Sequence, residues 1–124
     1  DKKILKNTQI YIVDTYGETK KFFKTCKVIF LGKSLTVEGG QNPLEAARYN
    51  CNIIHGPKVS NFYEIYKLLG KNKISFKVNN QNQLSKKINE LLKKDIRSKH
   101  VGSKIKAIGE KILNNTLIEI KKFF

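Results

Sequence analysis

The sequence predicts an α/β fold, a Rossmann-like parallel sheet with flanking helices. Three observations predict it. Strand-sized and helix-sized apolar patterns alternate along the chain, the rhythm of βαβ units. The strand candidates are short continuous apolar runs such as Val28-Ile29-Phe30-Leu31, expected where both faces of a sheet are covered. The stretches richest in Gly, Pro and polar residues, 14–18, 32–41 and 55–60, each follow a strand candidate. Right-handed crossovers gather such loops at one sheet edge, and ligands of open α/β sheets bind there.

The elements follow in order. Residues 9–13 read as a strand that ends at Asp14, and 17–25 as a short helix carrying Phe22 and Phe23. Residues 27–31 form the second strand, with a Gly-bearing loop over 32–41. Residues 42–49 form a helix with Asn42 as N-cap and Pro43 at the first helical position. A third short strand covers 52–54. Residues 61–69 form a helix with apolar Phe62, Ile65, Leu68 and Leu69, stopping at Gly70. A fourth strand covers 73–78. Residues 82–93 form an amphipathic helix with Leu84, Ile88, Leu91 and Leu92 on one face. From Ile96 to Phe124 the pattern stays helical, with a possible break at Asn114-Asn115.

With 124 residues and 40% hydrophobic side chains, the chain fits one globular domain. No stretch approaches the roughly 20 apolar residues of a membrane span. The chain starts at Asp1 rather than Met, and it reads as a piece of something longer. Cys26 and Cys51 make no disulfide framework and read as small buried hydrophobes. The net charge is +15, yet Arg48 and Arg97 are the only arginines among 25 basic residues. Arg is the favoured residue for bidentate phosphate and base contacts. Its scarcity, the lack of a recognised motif and the α/β rhythm weigh against a nucleic-acid-binding module. The lysines read as a compositional coat, or as a surface for an anionic membrane.

The strongest local signal is Gly39-Gly40-Gln41-Asn42-Pro43-Leu44-Glu45. Two glycines permit close backbone approach, and a helix N-terminus suits a phosphate or carboxylate. Glu45 has two open readings. It can accept hydrogen bonds from the two hydroxyls of a ribose, or it can close a capping box with Asn42. The turn at Asp14-Thr15-Tyr16-Gly17-Glu18 could present backbone groups to a planar base, or simply cap a helix. Gly32-Lys33-Ser34 lacks the upstream Gly of a P-loop. His55 and His100 have no partners at metal-ligand spacing.

These segments, with Val28 to Leu35 and Gly56-Pro57-Lys58-Val59-Ser60-Asn61-Phe62, resemble the C-terminal half of 3-deoxy-D-manno-octulosonic acid (Kdo) transferases. That family carries a D-T-x-G-E turn, a G-G-S-L segment, a G-G-H-N-x-L-E-P motif and a P-H-x-x-N-F motif in this order. The resemblance is strong over residues 8–69 and one of pattern only beyond them.

The resemblance implies a two-domain GT-B glycosyltransferase. Residues 1–124 would be a partial C-terminal nucleotide-sugar-binding domain, with a helical tail over about 95–124. The whole enzyme would transfer Kdo from CMP-Kdo to a lipid A precursor at the cytoplasmic face of the bacterial inner membrane, without metal or other cofactor. The absent N-terminal domain would supply the catalytic carboxylate, so this chain alone would be inactive and soluble. Carried over by position, Tyr16, Gly17 and Glu18 would lie near the cytosine and its ribose. Asn42, Pro43, Leu44 and Glu45 would line the nucleotide seat, with Glu45 on the ribose. Gly39 and Gly40 would admit the phosphate or the Kdo carboxylate, and Ser34 and Asn61 would join the same pocket. Four positions depart from the pattern: Lys33 for Gly, Gln41 for His, Ala46 for Pro and Lys58 for His. A related GT-B enzyme using a UDP-sugar is the competing reading.

Overall fold

A computed structural model of the chain describes residues 4–94 and 101–124. Three strands form one parallel sheet in the order β1-β2-β3: β1 Val28–Leu31, β2 Asn52–His55 and β3 Ser75–Lys77. In register, Val28 lies beside Asn52 and Leu31 beside His55; Ile53 then pairs with Ser75 and His55 with Lys77. The helices are α1 Thr19–Thr25, α2 Leu44–Arg48, α3 Tyr63–Lys71, α4 Gln81–Lys93 and α5 Val101–Lys121. A 3₁₀ turn, Ser60–Phe62, leads into α3.

Successive strand residues point to opposite faces, so the buried pair Ile53 and Ile54 at the centre of β2 serves two cores. Ile53 packs in a cluster with Phe23, Ala46, Ala47, Tyr66 and Leu69, contributed by α1, α2 and α3. Ile54 packs on the other face with Val78 and Leu91, and with Leu84 and Ile88 of α4. Both isoleucines are fully buried, each worth roughly 1.5–3 kcal/mol of transfer free energy. This two-sided cover is why the centre of β2 is a pair of adjacent apolar residues. The fold is the expected α/β, Rossmann-like arrangement of a parallel sheet flanked by helices.

Several boundaries differ from the sequence reading. Residues 9–13 form no strand; Ile10 and Ile12 are each 82% exposed. A strand is held by its ladder, and no described strand pairs with this run. Helix α3 continues past Gly70 to Lys71, and the chain reverses only at Lys73, with φ +57°. Helix α5 runs unbroken through Asn114 and Asn115. Leu92 is 55% exposed, off the buried face of α4. Phe123 and Phe124 are exposed. The expected start of the terminal helix at Ile96, together with Arg97 and His100, lies outside the described residues.

Two connections fix the helices relative to the sheet. The Cys51 thiol donates to the carbonyls of Phe23 (3.2 Å) and Cys26 (3.4 Å), tying α1 to the start of β2. Asn50, in a left-handed conformation, accepts from the Gly102 N–H at 2.7 Å and so anchors the first turn of α5 beside α2. No described helix is long and apolar enough to cross a membrane.

Candidate functional site

The loops after β1 and β2 meet at the carboxyl edge of the sheet, and one buried serine joins them. Ser34 is fully buried. Its hydroxyl donates to the Leu31 carbonyl at 2.9 Å and accepts from the Gly56 N–H at 2.8 Å. Its own carbonyl accepts from the Lys58 N–H at 3.0 Å. The two loops are so close that a Cβ on Gly56 would stand 2.3 Å from the Ser34 carbonyl oxygen. Lys58 adds a third tie, its ammonium donating to the Thr36 carbonyl at 3.0 Å. That lysine therefore closes the loop 32–41.

Gly39 and Gly40 are buried, with φ of +106° and +66°. Their lack of side chains is demanded by the chain itself. A Cβ on Gly40 would lie 3.1 Å from Val59, and one on Gly39 would lie 2.9 Å from the Asn61 amide nitrogen. The turn is thus packed against the residues that lead into α3. Tyr66 holds it from the other side, its hydroxyl donating to the Gln41 carbonyl at 2.8 Å. Burial pushes the Tyr66 phenol up to about 12, so it remains a donor.

At α2, Asn42 Oδ1 accepts from the Leu44 N–H at 3.0 Å. Pro43 is fully buried, and Leu44 faces an apolar cavity of about 520 Å³ shared with Ile65 and Leu68 of α3 and Ile105 of α5. Ala46 is fully buried in the Ile53 cluster. Glu45 is exposed and makes no described hydrogen bond or ion pair. The capping box is therefore not formed: Asn42 reaches Leu44, and Glu45 does not reach back.

The turn at 14–18 keeps to itself. Tyr16 is fully exposed and Gly17 has φ +84°. Glu18 accepts from the Thr15 hydroxyl and from Lys21 Nζ at 3.1 Å. The Thr15 hydrogen bond, then Lys21, hold its carboxyl below the usual range. The described contacts bring Gly39 against Asn61 and Gly40 against Val59, with Asn42 and Glu45 next along the loop, while Ser34 joins the same two loops through Gly56 and Lys58. These contacts do not join Tyr16, Gly17 and Glu18 to them.

Sequence reasoning passed over a second set of residues. His55, at the end of β2, packs against Tyr66 with ring centres 4.1 Å apart and ring planes tilted by 39°, and its Nδ1 lies 2.7 Å from the Gly56 carbonyl oxygen. Burial is the main cause that lowers its pKa, and Lys77 adds to it, while the Gly56 contact opposes. His55, Tyr66, Lys67 and Lys77 line a cavity of about 270 Å³ beside the Gly39–Asn42 loop. A histidine directly after an apolar strand was the available signal. Among the described residues no cluster of His, Cys, Asp or Glu could hold a metal ion.

A parallel sheet with helices on both faces and its polar loops at the carboxyl edge defines a Rossmann-like α/β unit. Within that class, this chain is related by sequence to the 3-deoxy-D-manno-octulosonic acid transferases, which are glycosyltransferases. The protein of that name from Rickettsia felis is 39% identical over 83 residues, 67% of this chain. That from Rickettsia bellii is 32% identical over 120 residues, 93% of this chain. That from Aquifex aeolicus is 29% identical over 99 residues, 78% of this chain. The chain spans between 18% and 28% of the length of these three relatives. No family model matches it.

Proposed function

We propose that this chain is the donor-binding part of a Kdo transferase. In this reading it holds CMP-Kdo at the carboxyl edge of the sheet, and a further domain presents the lipid A precursor and the catalytic carboxylate. The chain corresponds to the C-terminal domain of a GT-B enzyme acting at the cytoplasmic face of the inner membrane, and it has no transferase activity alone. The relatives' name supports the chemistry, and the ordered motifs support the placement.

One observation carries the reading. Glu45 stands beside the Gly39–Asn42 turn with its carboxylate uncommitted to any described protein group. A carboxylate at the ligand edge of an α/β sheet suits the vicinal hydroxyls of a ribose. Gly39 and Gly40 shape the turn, Asn42 and Pro43 set the start of α2, and Leu44 anchors it. Ser34 acts from beneath, by joining the loops. Tyr16, Gly17 and Glu18 would reach the cytosine only with the loop before α1 folded toward the sheet edge.

The test compares Glu45→Gln with Glu45→Ala by calorimetric titration of CMP. The Gln variant should lose roughly 1–3 kcal/mol of binding, the cost of poorly paired buried hydrogen-bonding groups. Its melting temperature should match the parent's, because Glu45 caps nothing. Unchanged CMP affinity in the Gln variant rejects the role. Tighter binding of UDP than of CMP would favour a UDP-sugar enzyme.

A further inference from the structure

Lys33 is one of three non-glycine residues with positive φ among the described residues. It sits at the mouth of the loop after β1 with φ +67°, a left-handed conformation that is disfavoured for a non-glycine residue. Its main chain is well used: the Lys33 carbonyl accepts from Thr36 N–H at 3.0 Å and Val37 N–H at 2.8 Å. Glycine would serve that turn with less strain, so the turn does not explain the lysine. The side chain, however, has a definite direction. Its Nζ lies 3.9 Å from where a Cβ of Gly39 would stand, and the Asn61 amide nitrogen lies 2.9 Å from the same point. Two nitrogen donors from separate loops thus converge over the glycine turn.

Neither donor has a described protein acceptor. The nearest carboxylate in sequence, Glu38, is engaged by the Ser60 hydroxyl at 3.4 Å, and no described ion pair includes Lys33. Lys58, the other lysine of these loops, is spent on Thr36. An ammonium and an amide nitrogen held near one another above Gly39 are matched by an anionic oxygen, since charge-assisted hydrogen bonds of this kind are the strong ones.

We propose that Lys33, with Asn61, forms an anion contact over Gly39 that takes an anionic oxygen of the donor, on its phosphate or on its sugar-acid carboxylate. This rests on the donor-binding reading above and adds to it a cation supplied by this chain. The positive φ is then a strain retained for the side chain's reach, as strained backbone often is at binding sites.

The experiment titrates cytidine, CMP and CMP-Kdo into the protein and into its Lys33→Gly and Lys33→Gln variants. Lys33→Gly suits the left-handed turn, so it should melt no lower than the parent, and a binding change in it is not a folding defect. CMP-Kdo affinity should fall roughly three- to tenfold in both variants, the modest value expected of a partly solvated charge. The loss should shrink as salt rises, and cytidine binding should not change. A loss shared by CMP and CMP-Kdo assigns the phosphate; a loss confined to CMP-Kdo assigns the carboxylate. Parent-like affinity of both variants for both nucleotides, or an equal loss for cytidine, overturns the proposal while leaving donor binding intact. A parent protein that binds neither CMP nor CMP-Kdo overturns the donor-binding reading, and the Lys33 contact with it.

Discussion

Replacing Ser34 by Ala removes one oxygen from the place where the two site loops are joined. The residue is fully buried, so water cannot replace what is lost. The hydroxyl's two hydrogen bonds, from Gly56 N–H at 2.8 Å and to Leu31 O at 2.9 Å, both disappear. The Gly56 N–H is the costlier orphan, because it keeps no other described acceptor and is buried itself. A buried donor left without a partner costs about 1–3 kcal/mol. An expected loss of about 2 kcal/mol corresponds, at roughly 3–5 °C per kcal/mol for a domain of this size, to a fall in melting temperature of about 6–10 °C. Thermal unfolding followed by circular dichroism gives the stability. Hydrogen exchange should show protection at the Gly56 amide falling by more than the global loss felt at Ile53 and Ile54. A Ser34→Ala variant within about 0.5 kcal/mol of the parent, with the Gly56 amide still protected, would refute the reasoning.

Gly56→Ala should be at least as damaging, near the top of the roughly 1–3 kcal/mol range for overpacking, because its Cβ would meet Ser34 backbone rather than a movable side chain; denaturant titration measures it. Tyr66→Phe should lose about 1 kcal/mol, the worth of the hydroxyl's bond to Gln41, and a neutral result would show that the Gly39–Asn42 turn holds without it. His55 gives a pH signature. Its folded pKa is lowered from 6.5, chiefly by burial, so its neutral form contributes full stability above the unfolded pKa. As pH falls below about 6.5 the unfolded chain takes up the proton first, and stability declines through the window down to the folded pKa. His55→Gln should flatten that acid-side slope, and an unchanged slope would place its origin elsewhere. The lysine-rich surface should bind vesicles containing anionic lipid in a salt-sensitive way; binding that persists at about 1 M salt would instead implicate exposed apolar residues such as Phe123 and Phe124.

The amino-acid sequence by itself determined the α/β class, because period and run length report which faces are covered. Ile53 and Ile54 are adjacent and both apolar because that strand is covered on two sides. It also determined where the polar loops fall, since Gly39, Gly40 and Gly56 mark places where no side chain fits. The same pattern misled at residues 9–13, where strand propensity is high but no ladder partner is present. A strand is a relation between segments, and propensity describes only one of them. What fills the space beside those glycines was equally out of reach. Close approach by a ligand and close approach by Val59 or Asn61 leave the same residue in the sequence. Glu45 shows the limit most clearly. Its spacing from Asn42 fitted a capping box as well as a ligand contact, and only the tertiary structure, by turning Asn42 toward Leu44, left the carboxylate uncommitted. Ser34 and Lys33 were divided in the same way: one loop buries the first hydroxyl between two strands and carries the second side chain out over Gly39. Burial and direction depend on segments distant in the chain, and these the fold alone brings together.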